Sequence, residues 1–319
     1  MRVKVNLLHF SGRVAALTCC LLTLKLIHYV KLAAIDIGSN AARMQISTIL
    51  TNDDVVSFKR VEYVRFPLRL GHDVFTHGAL TSESVQRTVK LMQAYKLLME
   101  LHEVEAFMAC ATSAMREATN GREVADLVKL RSGIPIQIID GQKEAELINN
   151  VVVLALDGRQ TLHIDVGGGS TELNVYQNRK KLASRSFKIG SVRLLEGKDM
   201  RSTWVKVEAW IKENVDRSQP VVAVGTGGNI SKLFNLVAKT SDTTTTLAEI
   251  IRMRDHIAGF SLEERINKLR LNADRADVIV PAAEIYISAM RWAGATDIAV
   301  PDLGLKDGIL QVVYQQLKK

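Results

Sequence analysis

The segment Asp165-Val166-Gly167-Gly168-Gly169-Ser170-Thr171-Glu172 decides how this chain is read. It follows Leu162-His163-Ile164, a short run that reads as a buried strand. It precedes Leu173-Asn174-Val175-Tyr176, which alternates as a second strand does. Three glycines between two strands predict a tight hairpin whose backbone N–H groups stay open, since a backbone without Cβ atoms can approach an anion such as phosphate closely. Asp165 closes the first strand, where it is placed to hold a hydrated Mg²⁺; that ion takes one or two carboxylates and keeps its waters. Glu172 is placed to face the same cleft. Taken alone, the triplet reads equally well as a solvated turn between two acids.

It is not alone. Leu32-Ala33-Ala34-Ile35-Asp36-Ile37-Gly38-Ser39-Asn40 repeats the order of apolar strand, Asp, apolar residue, Gly and small hydroxyl residue. Two copies imply two similar half-domains facing each other across a phosphate site. A third Gly-rich turn, Gly225-Thr226-Gly227-Gly228, follows the apolar run Val221–Val224 and leads into the helical pattern Ile230–Phe234. A Gly-rich loop feeding a helix N-terminus is a ready anion site.

The 319 residues, 47% hydrophobic and 24% charged, fit a globular protein with room for two domains. The net charge of +8 favours polyanionic partners, but the basic residues are scattered and no run exceeds Arg179-Lys180-Lys181, so nucleic acid is not expected as the partner. Cys19, Cys20 and Cys110 form neither a C-x-x-C pair nor a disulfide framework, which fits a reducing cytoplasm. Residues 1–31 read as an extension outside the fold. Their apolar run Val14–Leu24 behind Arg2, Lys4 and Arg13 has the look of a signal or tether, yet it is short and Lys25 interrupts it, so stable membrane insertion is not expected.

Along the chain, strands are expected near 32–47, 55–58, 63–68, 107–111, 134–139 and 182–189. Leu80–His102 reads as a long helix with Thr81 as N-cap. Thr112-Ser113-Ala114-Met115-Arg116 opens another helix, expected to end near Asn120-Gly121, where hydroxyls and an arginine meet. Asp140-Gly141-Gln142-Lys143-Glu144 starts a helix that runs to about Leu156. Helices are also expected at 204–215, 231–237, 246–252, 255–260, 262–269, 276–294 and 303–317. Strands alternating with helices in both halves indicate α/β architecture.

Eight stretches carry a family resemblance: AAIDIGSNAAR (33–43), ATSAMREATNG (111–121), DGQKEAEL (140–147), IDVGGGSTEL (164–173), IGSVRL (189–194), GTGGNISKL (225–233), RADVIVPAAEI (275–285) and DLGLKDGIL (302–310). In this order the chain resembles the exopolyphosphatase / guanosine pentaphosphate phosphohydrolase (Ppx/GppA) family. The resemblance implies two actin-like, ribonuclease H-like domains, 32–147 and 148–319, facing each other across a phosphate-binding cleft. It implies Glu144 as the general base and Asp165 and Glu172 as the acidic pair that holds Mg²⁺. It implies Ser39, Asn40, Arg43, Ser113, Arg116, Gly168, Gly169 and Ser170 as phosphate-binding positions. The implied reaction is Mg²⁺-dependent release of terminal phosphate from polyphosphate or guanosine pentaphosphate, and a homodimer is compatible with it. A non-catalytic sensor of guanosine tetra- or pentaphosphate is the alternative, and a kinase on the same fold is a more distant one.

The chain departs from the family pattern at Ala41, Glu146, Leu303 and Lys306, where a small hydroxyl residue and three arginines are common. Lys306 keeps the charge without the fork geometry of arginine. These changes bear on substrate preference. As a short two-domain form, the chain is expected to favour short polyphosphate or guanosine pentaphosphate over long polymers.

Overall fold

The computed structural model describes residues 29–52, 55–198, 200–237 and 243–318. The apolar run at 14–24 lies outside them. β1 (Lys31–Ile37) is apolar on both sides: Ala33, Ile35 and Ile37 face one cluster, Leu32 and Ala34 another. Such a strand has to be central, covered on both faces. It pairs antiparallel with β2 (Ala42–Asn52), which pairs in turn with β3 (Val55–Phe66). On its other edge it pairs parallel with β4 (Ala106–Ala111), next to β5 (Ile136–Ile138).

The outer face of this sheet is covered by α1 (Leu70–His77), α2 (Ser82–Leu101) and, after the single turn α3 (Ser113–Glu117), by α4 (Gly121–Ser132). The Thr81 side chain caps α2 by accepting from the Ser84 amide, and Met92, Tyr95 and Val128 fill the core beneath. Each side chain of this size contributes about 1.5–3 kcal/mol on burial. The helix expected to end near Gly121 stops at Glu117, and a second one begins at Gly121. A Cβ at Gly121 would stand 2.1 Å from the Met115 carbonyl oxygen, so the chain folds back on itself there.

α5 (Gly141–Val152) leads to the second sheet, of β6 (Gln160–Val166), β7 (Thr171–Gln177) and β8 (Lys180–Phe187). After α6 (Ser191–Leu195) and α7 (Arg201–Asn214) come β9 (Val221–Thr226) and α8 (Gly228–Val237). β10 (Thr244–Thr246), α9 (Leu247–Ala258), α10 (Leu262–Asn267), α11 (Ala273–Ala276), α12 (Ile279–Ala293), β11 (Asp297–Ala299) and α13 (Leu305–Leu317) complete the chain. The second sheet runs β10-β11-β9-β6-β7-β8, and five of its strands, taken from the other edge as β8-β7-β6-β9-β11, repeat the order and directions of β3-β2-β1-β4-β5. The duplication expected from the two Asp-x-Gly segments is therefore a duplication of whole sheets. The three-residue strands β10 and β11 were not expected, and α9 is one helix where two pieces were.

Between the sheets lies a shared layer. α5 and α13 pack together, since a Cβ at Gly308 would stand only 2.0 Å from the Leu147 carbonyl oxygen. Their Leu147, Ile148, Val152, Ile309 and Leu310 meet Leu32 and Ala34 of β1 and Tyr176 of β7 in one buried cluster. The position 147/148 thus falls inside α5, and α13 lies against β1 and β4 of the first sheet.

Candidate active site

The two halves face each other where β1 and β6 end, around a cleft of about 310 Å³. Its floor is acidic. Asp165 and Glu172 are direct partners across β6 and β7, so both carboxylates rise from the same face. Asp36 pairs across β1 and β2 with Arg43, whose guanidinium donates to Asp36 Oδ2 at 2.8 Å. Glu144 reaches the floor from above. Asp140 caps α5 by accepting from the Lys143 amide at 2.8 Å. A Cβ at Gly141 would be 2.5 Å from Ser186 Cβ, so the helix starts hard against β8. One turn later Glu144 is 8% exposed, and its Oε2 is buried without a hydrogen-bond partner.

This crowding moves the acids. Burial pushes the Glu144 carboxyl well above its ordinary range, Glu172, Asp165 and Asp36 push the same way, and Arg116 opposes them. Burial and Asp165 push Glu172 up to about 7, against hydrogen bonds from Ser186 and Ser170. Asp165 is pushed up to about 6 by burial, opposed by a hydrogen bond from Thr226. Asp165 and Glu144 line the cleft, whereas Glu172 is 1% exposed and stands behind them, accepting from Ser186 Oγ at 2.7 Å. Among the described residues, no group of three or more His, Cys, Asp or Glu side chains could enclose a metal ion on its own.

Of the expected phosphate positions, Ser39, Asn40, Arg43, Ser113, Gly168 and Ser170 line the cleft. Ser39 and Ser113 share a hydrogen bond of 2.8 Å between their hydroxyls. Asn40 donates to the Asp274 carbonyl oxygen at 2.7 Å, which leaves its own Oδ1 buried and bare. Arg116 is off the cleft wall, donating to the Ile139 carbonyl oxygen at 2.6 Å, with its charge still felt by Glu144 and Glu172. Gly169 is also withdrawn. A Cβ there would be 2.3 Å from the Phe75 ring and 2.6 Å from Ser113 Oγ, and one at Gly168 would be 2.8 Å from Ser39 Cβ. The triplet therefore lets the two halves touch. Arg193 locks that contact: it donates to the Gly169 carbonyl oxygen at 2.9 Å and to Glu117 at 2.8 Å, and lies 4.1 Å over the Phe75 ring.

The third Gly-rich segment divides. Gly225 and Thr226, expected in the loop, end strand β9, because Gly225 packs on Ile298 and Ile230 and Thr226 is fully buried. Gly227, at φ +107°, and Gly228 turn into the cleft, with Asp165 Oδ1 3.1 Å from where a Gly227 Cβ would be.

Sequence reading missed most of the cationic wall, which also holds Arg60, Arg65, Lys232, Arg275 and Lys306. Arg65 is paired with Asp274, Arg60 with Asp302 at 3.4 Å and Lys306 with Asp307 at 2.6 Å. Among the described residues Arg275 and Lys232 form no ion pair, although Asp274 attracts Arg275 from farther off. Arg275 sits beside Gly228 (3.4 Å from its Cβ position), and burial followed by the charges of Arg65 and Arg43 lowers its pKa. A cation in that condition is short of a counter-ion. The signal in the sequence was only that Arg275 and Lys232 lie inside two of the family-like stretches.

The sequence matches the Ppx/GppA phosphatase family over residues 48–318. The bifunctional 3-dehydroquinate synthase/phosphatase of Fusobacterium nucleatum is 27% identical over 85% of this chain, and the chain spans 44% of that relative's length. The crystal structure of the Aquifex aeolicus Ppx/GppA family member superposes with a TM-score of 0.70 at 25% identity, covering 91% of this chain and 99% of that one. An exopolyphosphatase from Cytophaga hutchinsonii shares the fold at a TM-score of 0.73 and 23% identity, over 90% and 98% of the two chains. With the two-domain actin-like fold and most of the sequence matched, the chain belongs to the Ppx/GppA phosphatase family.

Proposed function

We propose that the protein is a phosphohydrolase that removes the terminal phosphate of inorganic polyphosphate, guanosine pentaphosphate or both. The observation that carries this reading is Glu144, buried over Asp165 with a bare Oε2, in a cleft walled by Arg43, Arg275 and Lys232. Those cations suit the nonbridging oxygens of a phosphate chain, and the arginines offer forked donors where charge develops. A carboxyl group held above its ordinary pKa is a competent base near neutral pH. Water attacks the terminal phosphorus, its proton passes to Glu144, and the anhydride P–O bond breaks with its oxygen kept by the shortened chain.

Asp165 and Glu172 fit a hydrated Mg²⁺. They are hard oxygen donors, and their pKa values are raised by burial first, which the charges of Arg43 on Asp165 and Arg116 on Glu172 offset only in part, so a cation beside them would be favoured. When bound, Mg²⁺ would supply neutralising charge to the phosphoryl oxygens. Asp165 reaches the cleft directly, and Glu172 supports it from behind. Substrates of this kind place the reaction in the cytoplasm. Among the described residues no helix is long and apolar enough to cross a membrane.

The test is phosphate release, with and without Mg²⁺, from guanosine pentaphosphate, short polyphosphate and long polyphosphate, using the full chain and its Glu144→Gln variant. Mg²⁺-dependent release that collapses in the variant supports the reading, and the ranking of substrates names the preferred one. Release that is absent, or equal in the variant, overturns it.

A further inference from the structure

Behind Asp165 runs a ladder of polar side chains that the proposed chemistry does not use. His163, two residues before Asp165 on β6, points to the same face of the sheet and is fully buried, as are Asn174 and Thr226. Their neighbours are set by strand register: Ser184 opposite Asn174, Asn174 opposite His163, and Thr226 opposite Asp165. A buried polar group of this kind costs stability unless fully bonded, and each one here is bonded.

The bonds have one consistent direction. Ser184 Oγ donates to Asn174 Oδ1 at 2.7 Å, which turns the amide nitrogen toward His163. Asn174 Nδ2 stands 3.0 Å from His163 Nδ1, and an amide NH₂ can only donate, so Nδ1 is the bare nitrogen. The ring proton is then on Nε2, which donates to Thr226 Oγ1 at 2.9 Å. With its acceptor side occupied by His163, the Thr226 hydroxyl keeps its proton free for Asp165, the residue it pairs with across the sheet. The Thr226 main chain is pinned as well, since its carbonyl oxygen accepts from the buried Tyr286 hydroxyl.

We infer that His163 is a positioning residue: through its single tautomer it aims the Thr226 hydroxyl at Asp165 and fixes that carboxylate for the cation and substrate in the cleft. The inference rests on Asp165 being a cation ligand, as proposed above. A carboxylate free to rotate spends part of its time pointed away from the ion, and loss of such an outer partner typically lowers metal affinity by roughly 10–100-fold.

The experiment measures Mn²⁺ affinity by calorimetry, without substrate, on the full chain and four variants. Thr226→Val keeps the shape and removes the hydroxyl, while Thr226→Ser restores it. His163→Leu removes the donor, while His163→Gln keeps an N–H near the position of Nε2. The expected result is affinity reduced at least tenfold in Thr226→Val and His163→Leu, and within about threefold of the parent in Thr226→Ser and His163→Gln. Equal affinity in Thr226→Val and the parent overturns the inference and leaves the reading of Asp165 intact. No Mn²⁺ binding by the parent chain removes both. Should His163→Leu fail to fold, His163→Asn, whose shorter amide falls near the Nδ1 position and cannot reach Thr226 Oγ1, takes its place, with the same tenfold loss expected and equal affinity overturning the inference.

Discussion

Asp165 and Glu172 are direct cross-strand partners, two carboxylates side by side, where the matching pair in the first half is Asp36 with Arg43. The duplicated hairpins are thus alike in backbone and opposite in charge. One half presents a neutralised acid, and the other a pair of like charges that burial makes worse. Such a pair is poor for stability and useful for binding a cation.

The first prediction concerns pH. Asp165 and Glu172 have pKa values of about 6 and about 7 in the fold, and Glu144 is also raised, against about 4 for carboxyls in an unfolded chain. The folded protein therefore binds more protons than the unfolded one, and stability falls as pH rises through these values. His163, held neutral by burial at a pKa of about 3, acts in the opposite sense below about 6.5, one group against three. In EDTA the melting temperature should be lower at pH 8 than at pH 6, and added Mg²⁺ should raise it more at pH 8. Melting curves at the two pH values check both signs.

Glu144→Gln should separate activity from stability. It removes the base, at a cost of roughly 10²–10⁴-fold in turnover. It also removes a buried charge from an acidic cluster, so the cation-free variant should melt above the parent at pH 8. Scanning calorimetry in EDTA tests this, and a lower melting temperature would contradict the strain assigned to the cluster.

Arg275 forms no ion pair among the described residues, and the repulsion from Arg65 and Arg43 outweighs the attraction of Asp274. Arg275→Gln should relieve that repulsion and leave the fold as stable as the parent or more so. It should raise KM for a polyanionic substrate by about tenfold, the worth of one charge-assisted contact. Steady-state kinetics with a melting curve on the same sample show whether the two effects part company.

Gly168→Ala and Gly169→Ala should each weaken the contact between the halves, since their Cβ atoms would meet Ser39 at 2.8 Å and Phe75 at 2.3 Å. Overpacking of this kind costs about 1–3 kcal/mol. Gly259→Ala is the control: its φ of −69° suits any residue and its nearest neighbour would be 3.5 Å away. Urea titration should separate the two classes.

Much of this fold is legible in the chain because it is local. Both Asp-x-Gly hairpins, the Thr81 cap and the Asp140 start of α5 depend on neighbours within a few residues. What was missed depends on distant ones. β10 and β11 have three residues each, too few for any periodicity, and exist because β9 offers an edge. The break before α4 comes from the fold-back of Gly121 on Met115. Gly168 and Gly169 read as openings for a ligand, and only the opposite half reveals that Ser39 and Phe75 stand against them. Arg275 and Lys232 are ordinary surface-type residues until the cleft gathers them.

The layer formed by α5 and α13 has a bearing on how the protein is made. Leu32, Ala34 and Cys110 on the first sheet are covered in part by Leu305, Ile309 and Leu310. A ribosome delivers those residues only after the whole second sheet has emerged. Until then the first half has one greasy side open, so it cannot finish as an independent unit while the chain is growing. Its completion waits on α13, and a chaperone holding that face would have to let go late.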